Sequence, residues 1–425
     1  MIASIVLSFV ILLIIGAPIA MCLALGAIVP LTFFSDISAI AVIQKFFTSI
    51  DSASLMAVPF FIVAGGLLSE GGVSKRLVDF AYSLVGWLPG GLAIVTFVAS
   101  AFFGAICGSA AATCSAIGAI LIPELTRKGY PLPFSLATVA SAGFLGIIIP
   151  PSIPMIIYGQ ATGTSVSELF MAGFIPGILL TVSMSIYAFF WGKAHRIPTQ
   201  KFQLIRVWQS FKSAIWALIM PFIILGGIYG GIFTATEAGA VSCAYGLLAG
   251  LFIYKELNLK LIVKIIRSSV VTCAMIMFII AAANAFALVL TRENIPQLVS
   301  GGLLRFSGES VFLFYLLVTI LLLFVGTFME TLPAIMILAP ILSLALAPLG
   351  QSSVAFGIVM IVNLAIGVIT PPLGLDLYVA AGVAKAPVSA VINRHLLCYG
   401  LCSFLVLVLI MVFPQISTLL PSMMG

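Results

Sequence analysis

The sequence predicts an all-α polytopic membrane protein with inverted repeats, each holding a re-entrant hairpin and a helix broken at a Pro-Pro pair. Three observations carry this expectation. The 425 residues are 63% hydrophobic and only 7% charged, against roughly 25% charged in soluble domains. Two stretches nearly repeat each other, GIIIPPSIPMII at Gly146–Ile157 and GVITPPLGLDLY at Gly367–Tyr378. Most basic residues fall in alternate loops between the apolar segments, and so on one side of the membrane, as the positive-inside rule requires.

The N-terminal run MIASIVLSFVILLIIGAPIAMCLALGAIV lacks a basic n-region and is too long for a signal-peptide core, so it reads as a span over about 2–30. Further spans of near 20 residues are expected at about 53–71, 135–159, 169–191, 214–233, 236–254, 270–291, 355–381 and 396–421. Two apolar blocks, 93–124 and 311–350, are too long for one span. Gly104, Gly108 and the small run Ser109–Ser115 break the first, and Gly326–Ala334 breaks the second. Both read as re-entrant hairpins, although two full crossings each would keep the same alternation.

With the N-terminus in the cytoplasm and the C-terminus in the periplasm, 15 of the 18 basic residues are cytoplasmic. Only Lys45, Arg292 and Arg305 fall outside. The net charge of +6 therefore reflects topology and not a nucleic-acid footprint. Trp87, Trp191, Trp208 and Trp216 lie near span ends, as an interfacial belt would. The segment FQLIRVWQSFKSAIW reads as an amphipathic helix on the cytoplasmic surface.

The first broken helix (135–159) starts beside Arg127 and Lys128; the second (355–381) ends before Lys385 and Arg394. They run in opposite directions, so the repeats are inverted. Paired helix breaks in corresponding halves are the sequence mark of a secondary-transporter site. Proline removes a backbone donor and clashes with the preceding turn, and freed backbone groups are tolerated in a bilayer only where they line a cavity or are re-satisfied. Helix N-termini at the tips suit an anion, and unwound carbonyls suit Na⁺.

Short polar side chains complete these shells: Ser109, Thr113 and Ser141 in the first half, Thr327, Thr331, Asn363 and Thr370 in the second. Glu330 and Asp376 are acids deep in the second repeat and are functional candidates because charge there is costly. Helix capping and hydrogen bonding to the previous turn are the structural alternatives for all of these. Glu237 reads as a helix-start residue, with Thr234 or Thr236 as cap. The seven cysteines show no metal spacing or disulfide framework, and His195 and His395 read as interfacial. No HExxH, Walker A or nucleophile-elbow motif occurs, so the sequence reads as a transporter and not an enzyme, with no cofactor beyond a coupling ion. Two other classes stay open: an ion-translocating subunit of a respiratory complex, disfavoured because every Lys sits at a span end or loop, and an intramembrane aspartyl protease, which lacks a second facing Asp.

Along essentially its whole length the chain resembles the large membrane subunit (DctM-like) of tripartite ATP-independent periplasmic, or TRAP, transporters. The blocks that carry the resemblance are LVDFAYSLVGWLPGGLAIVTFVASAFFGAICGSAAAT, LGIIIPPSIPMIIYG, GIFTATEAGAV, GTFMETLPAIMILAP and VNLAIGVITPPLGLDLYVAAGVA. The resemblance implies an elevator-type protein of the bacterial inner membrane. Residues 1–91 would hold scaffold spans and an interfacial helix, 92–192 the first repeat core, 193–310 connecting scaffold spans with basic loops, 311–395 the second repeat core and 396–425 a C-terminal span. It further implies Na⁺ coupling, a small four-helix membrane subunit and a periplasmic binding protein on separate chains, and small organic acid substrates such as sialic acid, other sugar acids or C4-dicarboxylates. H⁺ coupling is the alternative.

By position, one sodium site would join Ser109 to Gly143, Gly146 and Pro150, and a second would join Gly326 and Thr331 to Gly367 and Thr370. Substrate would lie near Thr113, Ser152, Glu330, Asn363 and Asp376. The chain departs from the family pattern at Glu330, usually Asp, and at Asp376, usually Asn.

Overall fold

A computed structural model describes residues 2–34, 39–308 and 310–423, and every regular element among them is helical. Positions 1, 35–38, 309, 424 and 425 of the expected segments lie outside the described residues.

The chain opens with α1 (Ile2–Ile14) and α2 (Ile19–Phe34), which pack on each other where one span over 2–30 was expected. Gly16 at φ +83° and the following Pro18 turn the chain between them, a conformation and a donor loss that end a helix. A short α3 (Ala39–Thr48) follows. Helix α4 (Ala57–Glu70) bends by 68° into the amphipathic α5 (Val73–Val85).

The first hairpin is α6 (Gly91–Cys107) and α7 (Ala110–Arg127), which pack side by side. The first broken helix consists of α8 (Leu132–Gly143), the single turn α9 (Leu145–Ile148) and α10 (Ile153–Thr162), bent by 44°. Helix α11 (Val166–Ala194) is long, at 29 residues, with Pro176 inside it. Its residues Ile178, Val182, Ile186 and Phe190 are exposed. At four-residue spacing they form one apolar stripe, a surface that suits lipid.

The basic segment expected as a separate surface helix is instead the start of α12 (Leu204–Tyr229), one continuous helix of 26 residues. Nothing between Leu204 and Trp216 breaks helical geometry, so the surface segment and the span fuse. Helix α13 (Ala235–Leu248) continues through a π-helical turn, Ala249–Ile253. Thr234 caps α13: its Oγ1 accepts from the Glu237 amide at 3.3 Å while the Glu237 carboxylate accepts from the Thr234 amide at 2.8 Å. This reciprocal pair is a capping box. Thr236 donates elsewhere, to the Ala53 carbonyl at 2.6 Å.

Helix α14 (Leu259–Arg292) runs 34 residues and starts well before the expected span at 270, because Asn258 caps it by accepting from the Leu261 amide. Lys260, Lys264 and Arg267 are therefore helical. Then come α15 (Ile295–Ser307) and the second hairpin arms, α16 (Val311–Gly326) and α17 (Thr331–Ser343). The second broken helix is α18 (Ser353–Gly367) and α19 (Leu375–Ala384). The C-terminal span expected over 396–421 is divided at Phe413-Pro414 into α20 (Arg394–Val412) and α21 (Gln415–Ser422).

Among the described residues five helices (α11, α12, α13 with its π turn, α14 and α20) are long and apolar enough to cross a membrane, or up to seven when each bent pair counts as one. The 13 residues of α17 reach only about 20 Å at 1.5 Å per residue, short of a hydrocarbon core of about 30 Å. One buried core runs through helices of both halves of the chain, and in it Phe97, Phe134, Tyr158, Phe356 and Tyr399 are fully buried. The repeats exchange arms: α7 packs on α19, and α17 packs on α10.

Candidate functional site

Each hairpin tip is tied to the break of its own repeat by one backbone hydrogen bond. The Ile153 amide donates to the Gly108 carbonyl and the Leu373 amide to the Thr327 carbonyl, both at 3.3 Å. At both breaks the Pro-Pro peptide (Pro150-Pro151 and Pro371-Pro372) is cis. Gly108 takes φ +65° to end α6, and Ser109 then caps α7 by accepting from the Ala112 amide at 3.4 Å.

The first-half candidates meet closely. Thr113 donates to the Ser109 carbonyl at 2.8 Å, and a methyl group built on Gly146 would stand 2.6 Å from that same carbonyl oxygen. Ser109, Thr113 and Gly146 thus share one contact region. Pro150 is buried at the break. Ser152 caps α10, accepting from the Met155 amide at 3.4 Å and donating to the Ile147 carbonyl at 2.5 Å. Ser141 Oγ is buried without a partner.

In the second half, Gly326 and Gly367 lie backbone to backbone. Thr370 donates to the Ile366 carbonyl at 2.7 Å and Thr327 to the Phe324 carbonyl at 2.7 Å. Asn363 Nδ2 donates to the Val359 carbonyl at 2.9 Å, while its Oδ1 is buried with no partner. Glu330 occupies the cap position of α17, yet its side chain makes no capping bond. It is exposed and opens to space between the tips.

That space is a cavity of about 690 Å³. Both hairpin tips reach it, through Ser109 of the first and Glu330 and Thr331 of the second, and Glu70, Lys75, Glu256 and Lys264 line it as well. Arg76 steadies this face through an ion pair with Glu256 at 2.7 Å and by lying 4.0 Å above the Tyr254 ring. A smaller cavity of about 290 Å³ lies behind the second tip, and Glu330, Val368 and Leu375 separate the two.

Of the residues expected near substrate, Glu330 lines these two cavities. Thr113, Ser152, Asn363 and Asp376 are fully buried and line neither. The reason for Asp376 is rotational: Leu375 takes the cavity side of the first turn of α19, and Asp376 turns inward against α7 and α8. The wall supplied by α14 was not foreseen. Lys264, Ser268 and Thr272 line the cavity at four-residue spacing, one polar stripe on a helix. That spacing in an otherwise apolar segment was the available signal. Among the described residues no group of three or more His, Cys, Asp or Glu is placed to hold a metal ion.

Residues 6–416 match the family model of the tripartite ATP-independent periplasmic transporter, DctM component. The chain is 40% identical to the C4-dicarboxylate TRAP transporter large permease protein DctM of Pseudomonas aeruginosa, over 95% of this chain and 94% of that protein. It is 41% identical to the isethionate TRAP transporter permease protein DctMQ of Oleidesulfovibrio alaskensis, over 89% of this chain but spanning only 60% of that longer protein. In fold it is similar to the Alcanivorax borkumensis YdaH transporter, with TM-score 0.63 and 18% identity over 97% of this chain and 98% of that one. The chain belongs to the DctM component family of tripartite ATP-independent periplasmic transporters, as a multi-pass membrane permease and not an enzyme.

Proposed function

We propose that the chain is the substrate-translocating subunit of a Na⁺-coupled importer of small organic acid anions. The observation that carries this reading is the double meeting of hairpin tip and broken helix, with Ser109, Glu330 and Thr331 facing one cavity. A tip and a break together offer amide donors and unwound carbonyls, the combination that binds an anion beside a cation. One Na⁺ is assigned to Ser109, Gly143, Gly146 and Pro150, and a second to Gly326, Thr331, Gly367 and Thr370. Glu330 is assigned to hydroxyl groups of the substrate, which favours a sugar acid such as sialic acid alongside C4-dicarboxylates.

Lys75 and Lys264 line the cavity, and the basic face is cytoplasmic by the positive-inside rule. On that reading the N-terminus is cytoplasmic, the C-terminus periplasmic, and the conformation inward-open. The re-entrant hairpins and broken helices would form the mobile domain, sliding against the remaining spans. The small four-helix membrane subunit and the periplasmic binding protein complete the system, delivering substrate to the opposite face. Uptake into proteoliposomes holding all three components tests the reading. An inward Na⁺ gradient should drive accumulation, and uptake that is indifferent to Na⁺ would overturn it in favour of proton coupling.

A further inference from the structure

Asp376 presents a charge problem that the cavity does not solve. It is 0% exposed, and both carboxylate oxygens lack any hydrogen-bond partner. Its own amide is committed to the Val368 carbonyl at 3.1 Å. It sits in the first turn of α19, where the helix N-terminus favours an anion, but no amide there reaches its side chain.

The elements packed around it offer no countercharge. Helix α19 rests on α7, α8 and the short turn Val388–Ala390. Helix α8 and that turn contain no ionisable side chain. On α7, Cys114 faces Asp376, its thiol donating to the Asp376 carbonyl at 3.8 Å. On α7 and α19 the other ionisable groups are Glu124, Arg127 and Tyr378. Arg127 is paired with Glu124, and Tyr378 lines the smaller cavity, away from Asp376. The ion pairs among the described residues are Arg76–Glu256 and Arg127–Glu124. A buried, unpaired carboxylate in such surroundings is strongly unfavourable.

The carboxylate is aimed at the first repeat. A methyl group built on Gly143 would stand 2.6 Å from Asp376 Oδ2, 2.7 Å from Cys114 Cβ and 3.2 Å from the Ala110 carbonyl oxygen. Gly143 lies one helical turn before Gly146, where Ser109 and Thr113 converge.

We infer that Asp376 is an anionic ligand for a monovalent cation held between the repeats, where a carboxylate of the second repeat completes oxygen donors of the first. The inference rests on the sodium-coupled reading above and assigns that ion a charged ligand from the opposite half of the chain. Hard oxygen donors with one negative charge suit Na⁺, and the ion supplies the countercharge that no side chain provides. Cation release would leave the α19 carboxylate unpaired against α7 and α8, so ion occupancy controls the seam between the repeats.

The test is thermal unfolding of the purified full-length chain titrated with NaCl, with choline chloride holding ionic strength constant. Wild type and Asp376→Asn are compared, the latter keeping shape without charge. Wild type should be stabilised by Na⁺ and not by choline, and Asp376→Asn should need roughly tenfold more Na⁺ for half the effect. Equal half-saturation in both proteins, the signature of a carboxyl that carries no ion, overturns the inference while leaving sodium coupling intact. A wild type that ignores Na⁺ overturns both. If Asp376→Asn is not recovered folded, Asp376→Ser is read by the same criterion.

Discussion

Gly326 and Gly367 cross at backbone contact: a methyl group built on Gly367 would stand 2.7 Å from the Gly326 Cα. The first repeat makes the same crossing between Gly104 and Gly146, where a methyl on Gly104 would stand 2.8 Å from the Gly146 Cα. In each repeat the first hairpin arm meets the broken helix through a glycine pair just before the break. This contact holds the tip at the height of the unwound turn.

Replacing Gly367 or Gly104 by Ala should therefore separate tip and break. Forcing a methyl into a close-packed crossing costs about 1–3 kcal/mol. Thermal unfolding of the purified variants should show lower midpoints, and uptake should fall further than stability alone explains.

Glu330→Gln should cut uptake by about tenfold or more, the scale of one hydrogen bond to a charged group. The melting temperature should hold, because the carboxylate does not cap α17. A large loss of stability with substrate affinity unchanged would assign Glu330 a structural role.

Thr331→Val keeps shape and removes a hydroxyl at a nearly buried position on the cavity wall. The Na⁺ concentration for half-maximal uptake should rise several-fold, on the order of 1 kcal/mol for one lost oxygen ligand. Uptake measured against Na⁺ at saturating substrate checks this.

Thr234→Ala removes one half of the capping box that starts α13. A loss of about 1 kcal/mol in stability is expected, with substrate affinity unchanged, since Thr234 lines neither cavity.

Lys264→Cys places a thiol on the cavity wall. Membrane-impermeant maleimide should label it from the cytoplasmic face only, and excess substrate should slow the reaction. Labelling from the periplasmic face would reverse the assigned orientation.

The two breaks were legible because a proline pair inside an apolar run has few structural outcomes. Span ends were less so. Nothing in the residues around Leu204 distinguishes a surface helix from the first turns of a span, and the early start of α14 depends on one side-chain cap at Asn258. The division of the first span was signalled by Gly16 and Pro18 but outweighed by hydrophobicity. At the site, sequence spacing identified the tips, while the facing of each side chain was out of reach. Asp376 and Leu375 are neighbours, and only the rotation of α19 decides which meets the cavity and which meets Gly143.

The exchange of arms has a consequence for biosynthesis. The surface of α7 that rests on α19 is complete only when α19 exists, and 248 positions separate Arg127 from Leu375. At ribosomal rates of about 5–20 residues per second, the first hairpin waits on the order of ten seconds or more for its neighbour. The α7 face stays uncovered throughout that interval, so the nascent protein depends on the insertion machinery or on lipid to shield it. Final assembly of the first half is thus postponed until α19 has been made.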